Sequence, residues 1–482
     1  MTSRALFFLL ASLGIFHLWL NALLPLGVDE AHYALYGWYL EWSYFDHPPL
    51  IGWLEAPAVH AFDANWAVRL VPIALGLIVL WQLTALARDL FPDTPSMAGW
   101  VLFLALLSPL LHGLTLTPLP DLPLLLVSIL LVRWLWRHRH DERLSSAWML
   151  GLLMGLAGLS KYTAITLVVS VALVMLLYGR WRWLRQGRFW GAVALAALLL
   201  TPVLYWNALH DWASFTYQLH HGTKHADWSW ERFAISQGRQ LGAYGPVLYL
   251  AGVALAVWTL LRWRSTPEGV RFLWLFAVPV WALFAWSSGH EPILPHWTAL
   301  GWWLFLPAIA WWLASRRWAL WLHGVLGGMA WIGLLHVVMT GAWAFKAPHP
   351  LLEVAGWEAA SERLHSWQKR LQTQSGVKIH QFAGNWSLVS RPAWYLRLAE
   401  DPQVFTADGK LTQFDFWFGR PSAGSRGVVL WHSYFDDDQS PAQKGLFKRC
   451  SLLESQPVRW RGKDLQATFR FYDCEGWKRG QR

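Results

Sequence analysis

Charge is scarce in this chain. Asp, Glu, Lys and Arg make up 15% of its 482 residues while hydrophobic types make up 55%, a balance that excludes an ordinary soluble protein of this size. The chain therefore reads as a membrane protein. Cysteine is scarcer still: there are two, Cys450 and Cys474, both close to the C-terminus. No H-E-x-x-H or C-x-x-C spacing occurs, so the pattern offers no metal-ligand motif. Neither a solenoid-type repeat nor a low-complexity tract is present. The sharpest absence is local. Residues 25–66 hold six carboxylates and neither Lys nor Arg, in a chain whose net charge is +10.

Tryptophan, by contrast, is abundant, with 39 copies. Many flank apolar runs, as Trp134, Trp136, Trp181 and Trp183 do, which is the placement of interfacial anchors rather than of sugar-stacking platforms. The positive charge does not point to nucleic acid, because much of the Arg sits in short turns between apolar segments, where it sets topology.

Apolar segments fall near 5–24, 67–87, 98–113, 122–136, 146–160, 162–179, 190–206, 244–261, 270–287, 295–314 and 318–343, roughly eleven spans by length. The first, Ala5 to Leu24, is long and has no convincing A-x-A site before Asp29, so it reads as a retained helix and not a cleaved signal. Arg clusters in alternate connections: Arg137, Arg139 and Arg143; Arg180, Arg182, Arg185 and Arg188; Arg262, Arg264 and Arg271; Arg316 and Arg317. By the positive-inside rule these turns are cytoplasmic. The acidic connection 25–66 then faces outward, and an odd number of spans puts the two ends on opposite sides.

Beyond Phe345 charged residues, Gln and Ser enter, and AFKAPHP reads as a hinge. The expected organisation is a transmembrane domain over 1–345, with surface helices at about 25–66, and an extracytoplasmic α/β domain over 346–482. In the latter, Glu353 to Gln374 has amphipathic helical spacing, whereas GVVLWHSYF and ATFRFYDC read as alternating strands. In an oxidising compartment Cys450 and Cys474 are expected to pair, with buried thiols as the alternative. The acidic run Asp436 to Asp438 reads as a solvated turn.

The chemistry concentrates on the outward side. VDEAHYALYGWYLEWSYFDHPPL, Val28 to Leu50, opens with Asp29 and Glu30 at the start of a helix expected to lie along the membrane surface. Acids there complement the macrodipole and cap free N–H groups, so this pair alone needs no functional explanation. The same side, however, adds Asp46 and His47 before a Pro pair, Asp121 in TLTPLPDLPLL and Lys161 in GLAGLSKYTA. Snorkelling for Lys161 and capping for Asp121 are the plain alternatives, yet charge at membrane depth is costly enough to point to function. Carboxylates at a lipid boundary suit a general base acting on a hydroxyl. Nearby cations, among them His47, Lys161, Lys224, Arg239 and His296, suit an anionic leaving group such as a lipid phosphate.

The Asp-Glu pair after a first span, YFDHPPL, TPLPDLPL, GLAGLSKYTA and PVLYWNALHDWASFTYQ together resemble the bacterial glycosyltransferases related to protein O-mannosyltransferases and to the lipid A aminoarabinose transferase. The resemblance covers most of residues 1–345. It implies a GT-C fold: an α-helical polytopic membrane protein of about eleven transmembrane helices with a C-terminal soluble α/β domain. It also implies a polyprenyl-phosphate sugar donor, a hydroxyl acceptor on a glycolipid, polysaccharide or protein, and inverting transfer on the outer face of the bacterial cytoplasmic membrane. Residue by residue, Asp29 matches the family's catalytic Asp, Glu30 its neighbour and Asp121 the second acidic position, while Lys161, with Tyr162 beside it, falls where the donor phosphate is expected. Asp46 and His47 stand where the aminoarabinose-type enzymes carry Glu-Lys. Position 47 thus supplies a charge, a hydrogen bond or a metal ligand. In the later outer loop Asn207, Asp211, His220 and His221 either line the cavity or bond to backbone; Glu291 and His296, at an outer helix start, close the pocket, with capping or core packing as the alternative for His296. A divalent metal is conceivable from Asp29, Asp121 and the histidines, but no spacing assigns one. The competing function is a transporter or flippase for a lipid-linked substrate, for which charge at mid-bilayer and matching halves are expected, and neither is visible.

Overall fold

All eleven apolar segments are helical in the computed structural model, which describes residues 2–220, 227–343, 348–436 and 438–478. Among the described residues, four helices are long and apolar enough to cross a bilayer: Ser3–Leu23, the run Asn65–Leu90, Glu268–His290 and Arg317–Thr340. Two bent pairs, Gly187–Leu199 with Thr201–Leu209 and Trp230–Tyr244 with Pro246–Leu261, raise that number to six if each pair is one span. The chain is thus a multi-pass membrane protein. The expected figure of about eleven includes helices such as Met97–Leu107 and Ala147–Ser160, which fall short of span length.

Proline sets several of the breaks. Segment 98–113 is two helices, Met97–Leu107 and Pro109–Leu114, because Ser108 is extended before Pro109, as a residue preceding proline prefers. The 118° bend falls at Gly245, whose φ of +90° lies ahead of Pro246.

The chain divides into two compact units, and not at residue 345. The first comprises Met1–Trp19, Glu41–Leu54 and Arg69–Gly333; the second comprises Leu20–Leu40, Glu55–Val68 and Leu334–Arg482. The physical reason is a shared core. Leu26, Ala31, Leu35, Val59 and Val68 are buried in one cluster with Leu351, Trp357, Leu364, Val389 and Trp394. The helix Val28–Trp38, expected to lie on a membrane, therefore buries its apolar face against the C-terminal α/β fold.

In the first unit, helix Ala147–Ser160 packs on Gly187–Leu199 through small residues. A Cβ on Gly151 would come within 2.4 Å of the Ala192 carbonyl oxygen, and one on Gly155 within 2.5 Å of Leu199. Glycines four apart let two helices approach at backbone distance. This close pairing fixes the end of the helix that precedes Lys161.

The second unit holds a five-stranded mixed sheet of order β2-β1-β3-β5-β4. Its strands are β1 (His380–Ala383), β2 (Val404–Thr406), β3 (Gly427–His432), β4 (Arg449–Trp460) and β5 (Lys463–Glu475). β1 runs parallel to β2 and β3, and β5 runs antiparallel to β3 and β4. β3 does not alternate between water and core: Val428 and Leu430 enter the cluster with the helices, while Val429 and Trp431 join a second cluster with Phe382 and Phe447. A central strand covered on both faces loses the alternation. The amphipathic helix is Trp357–Ser375, begun after Gly356 in the left-handed region.

Cys450 and Cys474 are bonded, directly opposite one another on β4 and β5. The closed loop spans a separation of 24 residues. Replacing both by Ser should cost the second unit about 3 kcal/mol on chain-entropy grounds. Thermal unfolding of the full chain with and without the bond measures this, and an unchanged midpoint would contradict it. Asp436 departs from the expected solvated turn: it is 5% exposed, whereas Asp438 is exposed and pairs with Arg470.

Candidate functional site

Lys161 occupies a deliberate break. Helix Ala147–Ser160 ends there, Lys161 is extended (φ −158°, ψ 145°), and the chain resumes with a 3-10 turn, Tyr162–Ala164, and helix Ile165–Leu177. The extended residue sends the side chain inward. Its Nζ donates to Asp121 Oδ2 at 2.6 Å, with the two side chains only 9% and 13% exposed. Asp121 opens helix Asp121–His138 directly after Pro120, where the macrodipole favours a negative charge. The snorkelling alternative for Lys161 is thereby removed, because its ammonium is turned to a buried carboxylate.

Around this pair stand His47 and His296, both within electrostatic reach of Asp121. His296 lies in the 3-10 turn Pro295–Thr298, which is held by Tyr244: its hydroxyl donates to the Pro295 carbonyl at 2.7 Å and lies 3.0 Å from Thr298 Oγ1. Thr298 Oγ1 in turn donates to Gln240 at 2.8 Å. A narrow crevice beside Asp121 is walled by Leu114, Leu122, Leu125, Leu300 and Trp303.

Segment 41–49 is tied to the long outer loop. Trp206 Nε1 donates to Glu41 Oε2 at 2.5 Å, Ser214 Oγ to the Tyr44 carbonyl at 3.0 Å and Gln218 Nε2 to the Asp46 carbonyl at 2.7 Å. YFDHPPL and NALHDWASFTYQ, some 170 residues apart, are thus one local structure. Burial raises the pKa of Glu41, against the hydrogen bond from Trp206. Asp46 faces Tyr162 and Tyr217. The Tyr162 hydroxyl is buried near Ser43, Asn207 and Ser214, yet makes no hydrogen bond of good geometry among the described residues.

The first unit therefore brings together Asp46, His47, Asp121, Lys161, Tyr162 and His296. It does not bring in the softer candidates. Asn207 is spent on backbone, donating to the Val203 carbonyl and accepting from the Ser214 N–H. Asp211 and His220 are exposed, and so is Arg239 on helix Trp230–Tyr244. Lys224 and His221 lie outside the described residues.

Asp29 and Glu30 belong to the second unit. The Gly27 N–H donates to Glu30 Oε2 at 2.8 Å, so Glu30, 6% exposed, caps its own helix. Asp29, half-buried one residue earlier, stands within electrostatic reach of Arg391. Sequence reasoning missed Glu55. It is fully buried, with neither carboxylate oxygen hydrogen-bonded among the described residues. Burial, and then the charge of Glu30, holds its pKa well above the usual carboxylate range. The only available signal was a lone acid in the apolar run GWLEAPAV. Among the described residues no three His, Cys, Asp or Glu side chains converge as a metal-ligand set.

Asp436 and His432 give the second unit a measurable pH signature. Burial raises Asp436 to about 7, although it accepts from the His432 N–H at 2.9 Å. Burial, and then Arg391, lowers His432 to about 3. A raised carboxyl contributes stability that is lost as pH climbs from its unfolded value, near 4, to about 7. A depressed histidine contributes stability gained from about 3 to its unfolded value near 6.5. The two trends oppose one another between about pH 4 and 6.5. Asp436→Asn should unmask the histidine, so that stability rises by up to about 1.4 kcal/mol per pH unit across that window. Melting from pH 4 to 7 checks it; profiles of equal slope in both proteins would refute it.

Comparison with known proteins bears on the whole chain. Residues 46–206 match the family described as dolichyl-phosphate-mannose-protein mannosyltransferase. The lipid A galacturonosyltransferase RgtD of Rhizobium johnstonii is 27% identical over 267 residues, 52% of this chain and 52% of that protein. The chain thus matches about half the length of this curated relative. Over its full extent it has the fold of ArnT from Cupriavidus metallidurans: the structure bound to undecaprenyl phosphate aligns with a TM-score of 0.62 at 15% identity, covering 98% of both chains. The apo structure aligns at 0.59 and 14% identity, covering 97% of this chain and 98% of that one. The fold is that of ArnT, the GT-C fold, and residues 46–206 are similar to the protein-mannosyltransferase family.

Proposed function

We propose that this relative of ArnT and of the protein mannosyltransferases is itself a membrane glycosyltransferase, moving a sugar from a polyprenyl-phosphate donor to a hydroxyl of a glycolipid such as lipid A. The observation that carries this reading is the buried Lys161–Asp121 pair, 2.6 Å apart, beside His47, His296 and the buried Tyr162 hydroxyl. Burying an ion pair rarely repays its desolvation, so its persistence favours a task other than stability. An ammonium has three protons, and Lys161 commits one of them to Asp121. The others suit a phosphate whose negative charge grows as the glycosidic bond breaks.

In the proposed step, Asp29 takes the proton of the acceptor hydroxyl. The oxygen attacks the anomeric carbon, a new C–O bond forms with inversion, and the bond from that carbon to the phosphate oxygen breaks. Its electron pair leaves with the lipid phosphate, which needs positive charge and no strong acid. Lys161 and Asp121, with His47 and His296 near, form the donor-phosphate site.

The Arg-rich turns support an active site on the outer, periplasmic side of the bacterial cytoplasmic membrane. Single cysteines in a Cys-free background test this: position 40 should be labelled from outside and position 185 from inside. The reverse pattern would overturn the orientation.

A further inference from the structure

Helix Ile165–Leu177 starts just after Lys161 and ends, about 20 Å further along at 1.5 Å per residue, at a second built feature of the first unit. There Gly179, in the left-handed region at φ +63°, turns the chain into the 3-10 turn Arg180–Arg185. Trp183 is fully buried and anchors this turn, its Nε1 donating to the Asp141 carbonyl at 2.9 Å. Gln186 Nε2 adds a hydrogen bond to the Glu142 carbonyl at 2.6 Å. A cavity of about 210 Å³ is held open here, walled by Glu142, Tyr178, Arg180, Trp181 and Arg182. Its charge is lopsided. Asp141 is spent on the Arg143 and Ser145 N–H groups, and Glu268 on Arg139 and the Tyr178 hydroxyl. Glu142 is 74% exposed and stands 3.7 Å from Arg180, too loose a pair to neutralise the turn. Beside the cavity Trp181, Leu184 and Trp190 are exposed, an apolar shelf of the kind that sits at a lipid boundary. The positive-inside rule accounts for the arginines, but it needs only their charge. It does not ask for a fixed turn, a buried Trp anchor and an enclosed space.

We propose that this cavity is a binding site for the phosphate head group of an anionic phospholipid, in the leaflet that the Arg-rich turns meet. The planar guanidinium forks of Arg180 and Arg182 match phosphate oxygens, and Arg180 has donors to give, having used its Nε–H on the Tyr178 carbonyl at 2.8 Å. The volume is below the roughly 300–1,000 Å³ of pockets that enclose whole small molecules, so a head group enters while the acyl chains lie outside on Trp181 and Leu184. Basic pockets at the ends of membrane helices recognise lipid phosphates in this way. The site is separate from the Lys161–Asp121 pair at the other end of the helix, and no step of sugar transfer passes through it.

The test titrates the full-length protein in detergent with dioleoylphosphatidylglycerol or with zwitterionic dioleoylphosphatidylcholine, and counts retained lipid by native mass spectrometry. The wild-type chain should retain the anionic lipid at the lower concentration; equal retention of the two lipids overturns the proposal. R180Q/R182Q should weaken retention of phosphatidylglycerol by about 30-fold, the effect of losing two arginines at a lipid surface. R262Q/R264Q removes the same charge from another turn and should bind as the wild type does. Equal weakening in the two double variants, or none in R180Q/R182Q, overturns the site. Should R180Q/R182Q not fold, R182Q decides, because that side chain is exposed: binding about fivefold weaker supports the site and unchanged binding overturns it. Inorganic phosphate in excess should leave the lipid bound. Displacement by it would assign the cavity to a soluble phosphate and overturn the lipid as its occupant.

Discussion

Asp29→Asn should lower the rate of sugar transfer by about 10²–10⁴-fold, the usual contribution of a positioned general base. Asn is nearly the same size and still fits the first turn of helix Val28–Trp38, but it cannot take a proton. Fold and donor affinity should therefore persist: a melting temperature within a few degrees of wild type and a similar KM for the donor accompany the loss of kcat. Glu30→Gln makes the contrast. Glu30 is occupied by the Gly27 N–H, and Gln still accepts that bond, so transfer should fall far less than in the Asn variant. Equal losses in the two variants would make the Asp-Glu pair a structural cap and nothing more.

Lys161→Ala should harm both stability and activity, for separable reasons. It strands Asp121, 13% exposed, without the ammonium that compensates it, and breaking a buried pair in this way costs about 3–5 kcal/mol. It also removes positive charge from the developing phosphate, for which a loss of about 10²–10³-fold in kcat is the expected scale. The double variant Lys161→Ala/Asp121→Asn separates the two effects. Neutralising the stranded acid should recover much of the stability, whereas transfer should stay low because the cation is still missing. A double variant that regains activity along with stability would show the pair to be scaffolding. Melting temperature and single-turnover rate, measured on the same samples, decide between these.

Much of the architecture was legible in composition, because a bilayer rewards long apolar runs and every such run is a helix. Lys161 was legible for the complementary reason: a charge in an apolar sequence is conspicuous. Its tie to Asp121 was not, since forty residues separate them and only the break at Lys161 aims one at the other. The breaks at Ser108 and Gly245 are local and could have been read from the prolines that follow. The boundary between the two units could not, because residues 20–40 and 55–68 bury the same apolar types in a protein core that they would bury in lipid. Glu55 and Arg391 were hidden for a related reason. Each is an isolated charge whose burial follows from tertiary packing, and no periodicity marks it. Asp436 misled in the opposite direction: a run of three acids looks solvated, and only the fold puts the first of them inside.

The central claim, that this chain attaches a sugar to an envelope lipid from a polyprenyl-phosphate carrier, is tested most directly by mass spectrometry of the lipids of cells producing the wild-type chain or its Asp29→Asn variant. The wild-type chain should yield a glycolipid heavier by one sugar residue, absent from the variant, in which the sugar-loaded polyprenyl phosphate accumulates instead. Identical lipid profiles, or a sugar increment that survives the substitution, would contradict the account.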